Sequence, residues 1–129
     1  MYLAAVGKVI NTLILWGAIT WYAGPYVGEP LRCGGTYDAT YTDGLAVDID
    51  ATGWRCGDLV RVEADGVVMM KRVRDSGYLS RYCVEYGSEC VPIVADLPRG
   101  AWQWGSALSV QGSVTNVTMG LRARMERER

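Results

Sequence analysis

Histidine is absent from this chain of 129 residues, and that absence removes most hydrolytic chemistry at once. Ser-His-Asp and Cys-His catalysis need an imidazole, as does a zinc helix of the His-Glu-x-x-His type. Lysine is scarce, with only Lys8 and Lys71, which leaves little scope for a Ser-Lys arrangement. Phenylalanine is absent too, so tyrosine and tryptophan have to supply the aromatic part of any core. There is no excess of positive charge: the formal net charge of −1 excludes nucleic acid as an expected partner, because such affinity rests on Lys and Arg facing phosphates. What remains is carboxylate chemistry. Glycoside cleavage suits that residue set, since a protonated carboxyl donates to the leaving oxygen and its carboxylate form then acts as a base.

The four cysteines, Cys33, Cys56, Cys83 and Cys90, contain no C-x-x-C pair. Without histidine a zinc site would need four well-separated thiolates, so disulfides are expected in place of metal. Three pairings are possible. Cys33 with Cys56 and Cys83 with Cys90 is preferred, because each pair falls within one stretch of chain. Asp43, Asp48 and Asp50 lie close in sequence but lack the regular oxygen spacing of a calcium loop. No metal and no cofactor is expected.

Disulfides imply an oxidising compartment, and the amino terminus is read in the same direction. From Val9 to Ala23 the chain is uncharged and mostly apolar, and with Leu3 to Gly7 in front it approaches the ~20 residues that span hydrocarbon. Bulky Trp21 disfavours a cleavage site after Ala23. The expectation is a retained transmembrane helix with membrane contact through residues 3–23, Lys8 inside, and Trp16, Trp21, Tyr22 and Tyr26 at the outer interface. A buried core segment is the alternative. The domain division that follows is 1–27 for the anchor, 28–120 for a β domain placed in the periplasm or outside the cell, and 121–129 for a charged, solvated tail.

The β domain shows the period-2 alternation of strands. Strands are expected over 35–41, 44–49, 58–63, 67–73, 91–95 and 109–119. Asp65-Gly66 is a hairpin turn, since both residues tolerate positive φ. Asp96-Leu97-Pro98 reads as the capped start of a helical turn over 96–102.

Three pieces of text carry a resemblance: Arg55-Cys56-Gly57-Asp58-Leu59-Val60-Arg61-Val62, then Arg74-Asp75-Ser76-Gly77, then Ile93-Val94-Ala95-Asp96-Leu97. Their order and spacing, from Leu45 to Gly105, resemble the double-psi β-barrel superfamily of rare-lipoprotein-A-like, expansin-like and three-aspartate-domain proteins. The resemblance implies a mainly β fold, a six-stranded double-psi barrel, and a glycan groove with Asp75 in it. In the lytic transglycosylase members such an aspartate is thought to protonate the glycosidic oxygen, then deprotonate the muramic-acid hydroxyl that closes an anhydro ring. Asp75 is accordingly the acid/base candidate, with Asp96 the neighbouring carboxylate that raises its proton affinity. Tyr37, Tyr78 and Trp102 are candidates for packing on sugar rings.

Each candidate has a plainer reading. Asp75 before Ser-Gly is a turn-capping context, Asp96 a helix cap, and the aromatics core residues. The chain departs from the family in lacking a Gly-Arg-Thr-Ala-Ser-Gly text, with Thr42-Asp43-Gly44-Leu45-Ala46-Val47 in that place, and barwin-like and expansin-like members share the barrel without glycan hydrolysis. The expected partner is therefore peptidoglycan or another wall glycan, taken either by a lytic transglycosylase or by a non-catalytic binding module. A structural subunit of a membrane, envelope or virion assembly is the other reading.

Overall fold

The computed structural model describes residues 13–22, 28–38 and 42–128. Among the described residues there are seven strands: β1 (Ile14–Tyr22), β2 (Gly44–Val47), β3 (Leu59–Ala64), β4 (Val67–Ser76), β5 (Cys83–Tyr86), β6 (Glu89–Pro98) and β7 (Ser109–Asn116). Two helices accompany them, α1 (Ile49–Thr52) and α2 (Val117–Arg127). Six strands run in the order β1-β7-β3-β4-β2-β6, and β6 pairs again with β1, which closes a six-stranded barrel. Two of the pairs are parallel, β1 with β6 and β2 with β4. The remainder are antiparallel. β5 adds to the amino-terminal half of β6 as a hairpin outside the barrel.

The first strand overturns the expected membrane helix where the structure describes it. Ile14–Tyr22 is a barrel strand paired on both sides, with Leu15 and Ile19 buried in the core. Leu15, Ala18 and Ile19 are enclosed by protein, while Ile14 and Trp16 are exposed. No helix among the described residues is long and apolar enough to cross a membrane. Residues 1–12 and 23–27 of the expected anchor lie outside the described residues. The barrel thus begins before residue 28, inside the stretch assigned to the anchor. Gly17 and Gly112 are opposite partners on β1 and β7, and each lies where a Cβ would collide with backbone, that of Pro92 and of Glu63 respectively. Close strand approach demands glycine at both.

Alternation fills the interior. Val60, Val62 and Ala64 of β3, Val110 and Val114 of β7, Val73 of β4 and Leu45 and Val47 of β2 all point inward with Trp54 and Leu97. Each fully buried Val or Leu contributes roughly 1.5–3 kcal/mol relative to exposure. Asp65, at φ 48°, and Gly66, at φ 77°, form the expected turn between β3 and β4. Both preferred disulfides are present, Cys33–Cys56 and Cys83–Cys90.

Three other expectations change. The strand expected over 35–41 is, as far as residue 38, part of a hairpin in which Pro30 bridges Thr36; residues 39–41 lie outside the described residues. Asp96 lies within β6, which runs on to Pro98, and the helical turn begins only at Arg99. The charged tail is mostly helix α2. Asn116 caps it by accepting from the Met119 N–H, and Arg122 reaches back to Asp58 at 2.9 Å.

That contact explains a buried charge. Asp58 is 3% exposed. Burial alone would raise its pKa, but donors from Arg122, Asn116 and the Arg55 N–H outweigh burial and hold it below its ordinary value. A depressed pKa means stability that is present above the unfolded value and lost as pH falls through the folded one. Asp58→Ala should therefore lower stability by about 3 kcal/mol, read by urea unfolding at pH 7. The difference from wild type should shrink as the pH drops below about 4.

Candidate functional site

One row of cross-strand partners builds the site. Thr20 of β1 is opposite Asp96 of β6, Asp96 is opposite Ala46 of β2, and Ala46 is opposite Asp75 of β4. The residues preceding and following Asp96, Ala95 and Leu97, are buried, so alternation turns the Asp96 carboxylate to the outside of the barrel. A register irregularity between Leu45 and Ala46 brings Asp75, and not Arg74, opposite Ala46. The two carboxylates predicted from the sequence therefore meet across one small side chain.

The outer side of this row is covered. The hairpin 28–37 folds over it, closed by Gly28 N–H to Tyr37 O at 2.8 Å and Tyr37 N–H to Glu29 O at 2.7 Å. Its Arg32 N–H donates to Asp75 Oδ1 at 2.8 Å. The Arg32 side chain pairs with Asp50 at 3.3 Å, and the adjacent Cys33 is bonded to Cys56. Between row and hairpin is a cavity of about 160 Å³ lined by Asp75, Asp96, Ala46, Glu29, Leu31, Tyr22 and Tyr37, with Pro30, Ser76, Gly77 and Leu79 completing the wall. Asp75 is thus not a local turn cap. Ser76 Oγ accepts from the Ile49 N–H at 3.0 Å, which ties the end of β4 to the start of α1.

Burial pushes Asp96 up, the Thr20 hydroxyl at 2.8 Å opposes that, and the charge of Asp75 adds to it, with the result near 6. Such a carboxyl is a proton donor and acceptor near neutral pH. Asp96, which the sequence reading cast as the neighbour, has a raised proton affinity.

The three aromatic candidates separate. Tyr37 lines the cavity and donates its hydroxyl to the Tyr22 carbonyl at 3.2 Å. Tyr78 is exposed beside it, with the Arg81 guanidinium 4.4 Å from its ring. Trp102 belongs to the core against Trp104, at a ring separation of 4.8 Å, and does not line the cavity. The clustered acidic residues disperse: Asp43 pairs with Arg74 and Asp50 with Arg32. Asp48 caps α1 and accepts from the Ser80 backbone and side chain. No group of acidic or cysteine residues that would hold a metal occurs among the described residues. Thr20, Tyr22 and Glu29 were missed from sequence. The first two sit in the apolar stretch read as an anchor, where the signal available was its content of β-branched and aromatic residues.

No family model and no curated protein matches the chain. A solved structure does. Streptomyces papain inhibitor is 21% identical with a TM-score of 0.55, over 84% of this chain and 97% of that one, a likeness of fold.

The raised Asp96 pKa gives a stability signature. Between about 4, the unfolded value, and about 6, the native state binds more protons than the unfolded chain. Stability consequently falls as pH rises through that window. Asp96→Asn should raise the melting temperature at pH 7, and the gain should vanish by pH 4. Relative to wild type, Asp75→Asn should lower the Asp96 titration midpoint, followed by carboxyl carbon NMR.

Proposed function

We propose that this chain is an exported protein acting on cell-wall glycan, a lytic transglycosylase working through the Asp75–Asp96 pair. The observation that carries the reading is the row Thr20–Asp96–Ala46–Asp75, which sets two carboxylates across one alanine beneath a covering hairpin. The two parallel strand pairs of the barrel support its assignment to the double-psi type. The two disulfides support export to an oxidising compartment.

In this reading Asp96 supplies the proton to the glycosidic oxygen as the bond to the muramic-acid C1 breaks. The resulting carboxylate then removes the proton from the muramic 6-hydroxyl as that oxygen closes on C1, which regenerates the acid and leaves an anhydro end. Asp75 serves as the negative charge that keeps Asp96 protonated and that faces the positive charge developing on the sugar. Tyr37, 3% exposed and packed on the Tyr22 ring at 5.0 Å, shapes the cavity wall from behind and offers no open face to a sugar.

Digestion of purified peptidoglycan by the full chain, with products read by mass, tests the proposal. Anhydro-muropeptides are expected from wild type, with Asp96→Asn slower by at least about 100-fold. Absence of products from the folded wild type overturns it. A second reading, a non-catalytic binding domain, takes its support from the barrel shared with a papain inhibitor. Stoichiometric inhibition of papain without glycan products would favour that reading.

A further inference from the structure

Asp96 has two carboxylate oxygens, and the surrounding protein treats them differently. The Thr20 hydroxyl donates to Oδ1 at 2.8 Å. Thr20 is itself held: its neighbour Ile19 is fully buried, Trp21 packs on the core, and the β-branch restricts its χ1. The other groups around the cavity are the carboxylates of Asp75 from β4 and Glu29 from the hairpin, with Tyr22 of β1 and Tyr37 of the hairpin. The Arg32 side chain is turned to Asp50. Among the described residues the hydrogen bond to Asp96 comes from Thr20 alone.

We propose that Thr20 is a positioning residue that fixes Asp96 by Oδ1 and so assigns the transferable proton to Oδ2. The proposal rests on the glycan-cleaving reading and deepens it. With the Thr20 hydroxyl donating to Oδ1, a proton on Oδ1 requires that hydroxyl to rotate and become the acceptor. Protonation of Oδ2 keeps the hydrogen bond as it stands. The same donor favours the charged form, so it limits how far burial and Asp75 raise the acid. Thr20 thereby sets both the direction of proton delivery and the pH at which delivery and recapture balance.

Thr20→Val preserves shape and removes the donor, whereas Thr20→Ser keeps the hydroxyl. The Asp96 carboxyl carbon should titrate about one unit higher in Thr20→Val and at the wild-type midpoint in Thr20→Ser. On peptidoglycan, Thr20→Val should shift the pH profile upward by the same amount and lower kcat roughly tenfold with KM unchanged. A midpoint unmoved in Thr20→Val, or one moved equally in both variants, overturns the proposal. Inactive wild type would sink the glycan reading while the carboxyl titration still decides the role of Thr20, so the two fail separately.

Discussion

The register of β2 governs the site. This strand has four residues, all buried, and it lies between a parallel partner, β4, and an antiparallel one, β6. Ala46 is the residue both neighbours share, and its side is the side on which Asp75 and Asp96 project. A one-residue slip would turn Ala46 inward and present Leu45 or Val47 between the carboxylates. Such a slip would also bury the wrong alternation in a core where Leu45 and Val47 are wholly enclosed. The packing that stabilises the barrel is thus the same packing that brings the two acids together.

The remaining contacts serve that register from both ends. After Val47, Asp48 caps α1 and binds Ser80, while the Gly77 N–H donates to Val47 O at 3.2 Å. Before Gly44, Asp43 accepts from the Arg72 N–H at 3.0 Å and pairs with Arg74. An exposed pair such as that one contributes little by itself. The burial of β2 supplies most of the force, and the polar contacts select among alignments.

Two aspartates of the barrel show how environment divides structure from chemistry. Asp58 receives donors from Arg122, Asn116 and a backbone N–H, and its charge is stabilised. Asp96 receives one hydroxyl and sits beside another carboxylate, and its charge is opposed. Nothing in the sequence around Asp58 or Asp96 states which charge is stabilised and which opposed. What separates them is contact across large sequence distances, 64 residues from Asp58 to Arg122 and 76 from Thr20 to Asp96. Local patterning cannot reveal those distances. It did reveal β3, β4 and the turn between them, because alternation and Asp65-Gly66 are local signals. The resemblance singled out Asp75 and Asp96, which the fold brings to one cavity. Local patterning failed for β1, since a strand enclosed by a barrel and a membrane segment both present an unbroken apolar run. It failed for α2 because the helix is fixed by Asn116 and Arg122, not by an apolar stripe.

The hairpin 28–37 forms the outer wall of the site, with Tyr37 buried and Cys33 packed on the core. It joins the sheet through no named strand, and its glycines Gly28, Gly34 and Gly35 all have positive φ. Backbone of that kind loses much conformational entropy on folding. Cys33–Cys56 closes a loop of sequence separation 23, a length at which the chain-entropy model assigns roughly 3 kcal/mol to the cross-link. The Cys33 N–H to Arg74 O bond at 3.1 Å and the Arg32 N–H to Asp75 bond lie beside it. The disulfide thus acts at the point where backbone freedom would otherwise loosen the contact to Asp75, and one covalent bond keeps the cavity, about 160 Å³, walled on its solvent side.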